Sequence, residues 1–305
     1  MANLPEETTV AGRLSMVEPA DDPTNIRNPY LTVLTGAFVG RTYQLGPGRL
    51  IVGRAADCDI ALDDSGVSRR HALLVSTAEG SVSVEDLGST NGTMVDGARI
   101  EVRELGGGER LQFGSDTVFK FEFRDSIEER FVSYLYESAT RDHLTGVFNE
   151  RFLREQLRVE LAWHRRHQDP MCLILLDVDF FKKVNDEYGH LMGDSVLRQL
   201  ASRCQGACRV EDVLARYGGE EFACLVRHTD AAGAVVLAER MRRVVDAAPF
   251  QHGSSGRGPS VPVTISLGVA QLTPEMEEPE ALIAAADRML YRAKHAGRNR
   301  VEFES

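Results

Sequence analysis

The chain has 305 residues, 43% hydrophobic and 27% charged. That length suits two domains better than one, and the mixture excludes collagen-like, wholly disordered and disulfide-scaffold classes. Lys and Arg number 35 against 46 Asp and Glu, a net charge of −11, so the chain lacks the basic footprint that holds duplex nucleic acid by its phosphates. The longest purely aliphatic stretch, residues 171–176, is far short of the roughly 20 residues of a spanning helix. The N-terminus has neither a basic start nor an apolar stretch, so no secretory signal is read there. A cytoplasmic address with no membrane partner is expected.

Residues 1–28 are rich in Glu, Asp, Pro and Thr and read as a flexible tail. From about 29 to 125 the pattern becomes short alternating runs (31–33, 43–45, 81–84, 117–123) separated by Gly, Asp and Asn turns. Such spacing predicts an all-β sandwich. Over 126–141 the period lengthens, with Ile127, Phe131, Tyr134, Leu135 and Ser138 at three- and four-residue steps behind a Ser126-x-x-Glu129 start. That predicts a connecting helix with a capping box.

From 142 to 305 helices and strands alternate. Helices are predicted at 151–166, 195–205, 231–247 and 278–296, and strands at 171–179, 213–217, 222–226 and 261–270. The order β-α-β-β-α-β predicts an α/β domain with helices packed on a central mixed sheet. The Gly- and Ser-containing stretch 249–262 reads as a surface loop. Five cysteines (Cys58, Cys172, Cys204, Cys208 and Cys224) form no C-x-x-C pair, which suits reduced core thiols better than disulfides or zinc ligands.

Asp177-Val-Asp179 directly follows the apolar strand, placing carboxylates at the strand's exit, where open α/β sheets bind ligands. Some 40 residues on, Arg216-Tyr-Gly-Gly-Glu-Glu-Phe222 sets two glycines at a turn between strands, beside Glu220 and Glu221. Adjacent strands would bring Asp177 and Glu220 together. Oxygen ligands of this kind, completed by phosphate oxygens and water, suit Mg²⁺.

Six blocks in order carry a family resemblance: Asp142-His-Leu-Thr-Gly-Val-Phe-Asn149, the stretch from Asp177 through Asn185 to His190, Gly193-Asp194, Gly218-Gly-Glu-Glu-Phe222, Thr264-Ile-Ser-Leu-Gly-Val-Ala270 and Tyr291-Arg-Ala-Lys-His-Ala-Gly-Arg-Asn299. Together they resemble the GGDEF family of diguanylate cyclases over about residues 138–305. The resemblance implies that two protomers each bind one GTP and condense them to cyclic di-GMP and two pyrophosphates. It implies a Mg²⁺ or Mn²⁺ site at Asp177, Glu220 and the Val178 carbonyl, with Glu221 beside it. Asn185 and Asp194 correspond to guanine-reading residues, and a carboxylate accepts from guanine N1–H and the 2-amino group, which adenine does not offer. Lys182, Lys294 and Arg298 correspond to triphosphate contacts, aided by backbone N–H groups around Phe180 and Phe181. The side chains of Phe180, Phe181 and Tyr188 are read as packing residues. Glu220 stands where the family's name has Asp, retaining the carboxylate. Arg209-Val-Glu-Asp212 matches the family's R-x-x-D inhibitory product site, with Arg240 as a further contributor.

In the first half, Gly53-Arg54, Ser68-Arg-Arg-His71 and Leu87-Gly-Ser-Thr-Asn-Gly-Thr93 resemble the forkhead-associated (FHA) family over about 29–125. This implies a phosphothreonine-peptide site in which Arg54, Ser68, Arg69 and Thr90 meet the phosphate and Asn91 holds the peptide backbone. Gly53 and His71 are read as structural. Thr8 and Thr9 follow Glu6-Glu7 and are candidate targets of a Ser/Thr kinase, docking on this chain's own FHA domain or its dimer partner's. The expected molecule is a homodimeric cyclase regulated through phosphothreonine binding and by its product. The alternative is a non-enzymatic phosphothreonine adaptor and cyclic di-GMP receptor, which would not need Glu220, Glu221, Asn185 and Asp194.

Overall fold

A computed structural model describes residues 27–36, 39–62, 64–251 and 260–304. The tail with Thr8 and Thr9 lies outside them, as does most of the loop expected at 249–262.

The first half is a two-sheet sandwich. Its strands are β1 (Asn28–Val33), β2 (Thr42–Gln44), β3 (Gly48–Gly53), β4 (Ile60–Ala61), β5 (Ala72–Ser76) and β6 (Val82–Asp86), followed by β7 (Thr93–Val95), β8 (Ala98–Ile100), β9 (Val102–Glu104), β10 (Arg110–Phe113) and β11 (Thr117–Arg124). One sheet runs β2-β1-β11-β10-β7-β8 and the other β4-β3-β5-β6-β9. Along β11 the predicted alternation holds: Phe119 and Phe121 are wholly buried while Lys120 and Glu122 face outward. They meet Val52, Leu74 and Val84 of the other sheet in one core, the arrangement that period-2 strands require when a single face is covered.

Helix α1 (Ser126–Thr140) begins at the residue expected to cap it. Asp125, not Ser126, is the N-cap; its carboxylate accepts from the Ile127 and Glu128 amides, and Glu128 returns a bond to the Asp125 N–H. The capping box therefore forms one residue earlier than the Ser126–Glu129 pattern predicts, because Asp and Ser are equally good caps and each has a Glu three residues on. Tyr136 lies against Gly40 of the β1–β2 turn. Ile127, Phe131, Tyr134 and Leu135 are all exposed on the opposite face.

The second half continues with β12 (Phe148–Asn149), α2 (Glu150–His167), β13 (Cys172–Val178), α3 (Phe181–Tyr188), α4 (His190–Gln205), β14 (Val213–Arg216), β15 (Glu221–Val226) and α5 (Ala231–Asp246). A two-residue pair, β16 (Phe250–Gln251) and β17 (Ser260–Val261), precedes β18 (Ile265–Gln271), α6 (Pro279–His295) and β19 (Val301–Phe303). The mixed sheet has the order β12-β14-β15-β13-β18-β19. Every residue of the central strand β13 is buried, as expected when helices cover both faces. Leu173 and Leu175 pack among residues of α2 and α6, whereas Cys172, Ile174, Leu176 and Val178 pack among residues of α4 and α5. Helix α6 approaches β18 so closely that a Cβ on Gly268 would stand 2.1 Å from the Leu290 backbone nitrogen.

Helix α4 begins five residues before the expected start, and α3 and the short strands β12 and β19 were not anticipated. Two or three residues carry too little periodicity to read, and α3 is an eight-residue helix with only Phe181 and Val184 buried. Cys58, Cys172, Cys204 and Cys224 are buried free thiols and Cys208 is half-buried, as expected. Burial, with a further contribution from the charge of Asp230, pushes the Cys172 thiol up to about 12. No helix among the described residues is long and apolar enough to cross a membrane.

Candidate active site

The site is set by strand register. Antiparallel pairing of β13 with β15 places Asp177 opposite Glu221, and alternation along β13 turns Asp177 toward the α6 side of the sheet. Between β14 and β15 the chain reverses through Gly218 and Gly219, where the Tyr217 and Gly218 amides both donate to the Glu221 carbonyl. A Cβ at Gly218 would lie 3.1 Å from a Glu221 carboxylate oxygen, a tight approach that the glutamate tip can relieve by shifting slightly. The Val178 amide donates to the Glu220 carbonyl at 3.4 Å, fixing the hairpin to the end of β13.

From α6, Lys294 Nζ reaches Asp177 Oδ2 at 2.8 Å. Burial is the first cause that raises the carboxyl groups of Asp177, Glu220 and Glu221 above their ordinary range. The negative charge of Asp177 raises both glutamates further, against the lowering effect of Lys294. Among the described residues no group of three or more His, Cys, Asp or Glu side chains forms a metal cage. The donors that do meet here are carboxylate oxygens of Asp177, Glu220 and Glu221, and crowded carboxylates that resist ionisation fit an oxophilic divalent cation sharing its shell with water and phosphate.

Asp179, which the motif contains but to which no role was assigned, is the anchor of this corner. It is 4% exposed and accepts from Thr264 Oγ1 at 2.6 Å, Ser266 Oγ at 2.7 Å and the Asn299 amide at 3.0 Å. Two distant segments, the start of β18 and the turn after α6, are thereby tied to one carboxylate. Beyond it, Phe180 and Arg298 both adopt left-handed backbone, with φ of 56° and 63°, and the Arg298 guanidinium sits 4.4 Å from the Phe180 ring centroid. Phe181 is buried, as a packing residue should be. Phe180 is 63% exposed and Tyr188 is also exposed, so the packing role expected for them is corrected: Phe180 is a platform for Arg298 instead.

Lys182 is exposed on the first turn of α3. Asn185, on the next turn, lies over Gly193 of α4: a Cβ there would be 2.0 Å from Asn185 Oδ1. Asp194 follows directly on α4 and is half-buried, one residue beyond the glycine that Asn185 covers. Arg216 straps the whole hairpin. Its Nε and Nη2 donate to the Gly219 carbonyl at 3.1 and 2.6 Å, while Nη1 lies 3.3 Å from both Asp142 oxygens, just beyond the end of α1.

The Arg209–Asp212 loop stands at the other end of β14. Asp212 is 4% exposed; its Oδ2 accepts from the Arg209 amide at 2.7 Å, and its buried Oδ1 has no partner. Arg240 donates to the Ala207 carbonyl beside this loop.

In the sandwich, the loops after β3, before β5 and after β6 meet at one end. The Arg54 amide donates to the Ser68 carbonyl at 3.0 Å, and Ser68 Oγ accepts from the Thr90 amide at 3.1 Å. Asn91 Nδ2 donates to the Gly66 carbonyl at 2.8 Å. The Arg54 and Arg69 side chains are exposed around them. His71, wholly buried, accepts from the Ser68 amide through Nδ1, so Nε2 carries the proton donated to the Gly92 carbonyl at 3.2 Å. Burial holds this imidazole below its usual range and neutral. A Cβ on Gly53 would stand 2.3 Å from the Arg69 carbonyl, so both residues shape the loops.

Comparison with known proteins matches this geometry to two families. The model described as "Diguanylate cyclase, GGDEF domain" matches residues 139–300 and that of the FHA domain residues 50–114. Response regulator PleD of Caulobacter vibrioides is 41% identical over 182 residues, covering 57% of this chain and 39% of that protein. Diguanylate cyclase DgcP of Pseudomonas aeruginosa is 40% identical over 168 residues, covering 54% and 24%. The chain thus spans less than half the length of these curated relatives. The crystal structure of the coiled coil and GGDEF domain of DgcB from Caulobacter crescentus, in complex with c-di-GMP, superposes with a TM-score of 0.54 at 30% identity, covering 58% of this chain and 91% of that one. With more than half of its residues inside one family match, the chain belongs to the GGDEF diguanylate cyclase family, and it carries an FHA domain ahead of the GGDEF domain.

Proposed function

We propose that this chain is a cytoplasmic diguanylate cyclase that condenses two GTP to cyclic di-GMP and two pyrophosphates across a dimer, under control of its FHA domain. The observation that carries the reading is the convergence of Asp177, Glu220, Glu221 and Lys294 at one end of β13. Family members generally use a divalent metal. Asp177, Glu220 and the Val178 carbonyl would hold Mg²⁺ or Mn²⁺, which when bound polarises the α-phosphate and balances the charge developing on it. Lys294 and Arg298 bind the triphosphate, Lys182 adds charge from α3, and Phe180 holds Arg298 in place. Asp194 and Asn185 read the guanine edge and select GTP over ATP. Each protomer orients one GTP so that its 3′-hydroxyl faces the α-phosphate of the other.

Because each chain supplies half of the reacting pair, turnover requires a second copy. The exposed stripe of Ile127, Phe131, Tyr134 and Leu135 on α1 gives the two copies an apolar seam. Arg209, Asp212 and Arg240 form the inhibitory product site. At the sandwich tip, Arg54, Ser68, Arg69 and Thr90 take a phosphothreonine, with Asn91 on the peptide backbone. Thr8 or Thr9, phosphorylated by a Ser/Thr kinase, is the proposed tethered ligand.

The test is to strip bound nucleotide, add GTP and Mg²⁺, and chromatograph the products. Wild type should yield cyclic di-GMP while Glu220→Ala yields none. Wild type that binds cyclic di-GMP yet makes none, even when phosphorylated, would overturn the cyclase in favour of the receptor-adaptor. Phosphothreonine-peptide binding should be lost in Ser68→Ala while the cyclase rate without peptide stays unchanged.

A further inference from the structure

Among the described residues, the largest fully buried side chain is charged. Arg227, 1% exposed, follows β15 directly. Its Nε pairs with Glu160 Oε1 at 2.7 Å, and its Nη2 donates to Gln156 Oε1 at 2.9 Å. Gln156 and Glu160 are one turn apart on α2 and are themselves 3% and 8% exposed. The remaining arm, Nη1, donates at 3.0 Å to the backbone carbonyl of Glu211. Glu211 lies between Arg209 and Asp212. A buried ion pair of this kind is a poor source of stability, since apolar residues of equal volume commonly do as well or better. What it supplies is a fixed guanidinium fork, and that fork grips the Arg209–Asp212 loop.

The loop has few other supports. Asp212 bonds back onto the Arg209 amide, Arg240 holds Ala207, and Asp212 keeps one buried oxygen without a donor. Arg209 itself is largely exposed, its ion pair with Glu211 stretched to 4.0 Å. The Asp212 amide also donates to the Arg209 carbonyl at 3.3 Å, so these bonds close the loop on itself, and the Arg227 fork is what ties its Glu211 carbonyl to α2. We propose that Arg227, Gln156 and Glu160 are positioning residues for cyclic di-GMP: the network on α2 fixes the Glu211 carbonyl and so sets Arg209 and Asp212 at the spacing the product requires. The proposal rests on the reading of this loop as the inhibitory product site. It assigns these residues no part in the chemistry at Asp177 and Glu220.

The experiment replaces the network as a unit in the full chain, Arg227→Met with Glu160→Leu and Gln156→Leu, beside Arg209→Ala. Initial rates are measured against GTP with a phosphodiesterase removing product, and inhibition with cyclic di-GMP added back. The triple variant should keep kcat and KM within about twofold of wild type while the half-inhibiting concentration rises about tenfold, a loss of ~1.4 kcal/mol in product binding. Amide exchange over 208–213 should quicken in parallel. An unmoved half-inhibiting concentration overturns the proposal, as does a fall in kcat that tracks the loss of inhibition, since general loosening would produce it. If Arg209→Ala leaves inhibition intact, the product-site reading itself fails. If Arg209→Ala abolishes inhibition and the triple variant does not weaken it, only the positioning role fails. Should the triple variant not fold, Gln156→Met, which removes one acceptor and leaves the Arg227–Glu160 pair, should raise the half-inhibiting concentration about threefold at unchanged kcat; no change would overturn the proposal equally.

Discussion

Asp177, Glu220 and Glu221 crowd one corner, the proposed seat of a cation and triphosphate, and the charge of Asp177 raises both glutamates. The raised Glu221 carboxyl means that the folded chain holds that proton more tightly than the unfolded chain does. Folding stability is therefore lost as pH rises through the interval between the ordinary glutamate value and the raised one. Accordingly, Glu221→Gln in the presence of EDTA should raise the melting midpoint by a few degrees at pH 7, and the difference should vanish near pH 4, where the wild-type carboxyl is already protonated. Calorimetry across that range checks it, and cyclase activity should fall even as stability rises. The carboxylates were legible in the sequence because Gly218-Gly-Glu-Glu-Phe222 and Asp177-Val-Asp179 are contiguous. The duty of Asp179 was not, since its partners Thr264, Ser266 and Asn299 lie 85, 87 and 120 residues away.

Among the elements, the hairpin and α6 decide whether these groups meet. Arg216 uses three nitrogens at once, joining the Gly219 carbonyl to Asp142 at the foot of α1. A lysine keeps the charge but has no planar fork to span both partners. Arg216→Lys should lower kcat about tenfold with KM for GTP within about threefold, the signature of a hairpin misplaced in the transition state rather than lost substrate binding. On the other flank, the Cβ of Gly268→Ala would meet the Leu290 nitrogen at 2.1 Å and the Ala286 carbonyl at 2.3 Å. Backbone cannot yield as a side-chain tip does, so α6 must move away, carrying Lys294 from Asp177. Denaturant melts should show about 2–3 kcal/mol lost, and Mg²⁺·GTP affinity should fall with it. The helices themselves were readable from periodicity; the closeness of α6 to β18 was not, because one glycine in an apolar strand looks the same whether or not a helix lies against it.

Taken whole, the molecule is a sensor and a nucleotide domain joined by a helix with two different faces. One face meets the FHA domain where Tyr136 covers Gly40; the other exposes Ile127, Phe131, Tyr134 and Leu135. Phe131→Glu with Leu135→Glu puts charge on that exposed face, the proposed seam between two copies, without touching either domain's core. Sedimentation should then show monomer at concentrations where wild type is dimeric, and the rate per chain should rise with protein concentration instead of staying constant. A variant that remains dimeric with unchanged turnover would place the dimer contact elsewhere.

The sequence by itself determined the two-domain order, the strand and helix periods, and the chemical types gathered in each motif, because each is written in residues close enough along the chain to be read together. Tertiary structure decided which of those residues share a site. The β13–β15 register set Asp177 against Glu221, the approach of α6 delivered Lys294, and a buried arginine just after β15 gripped a loop that precedes it by 16 residues. Those pairings depend on how distant segments stack when their apolar faces are buried, and no local pattern encodes a distance across a sheet.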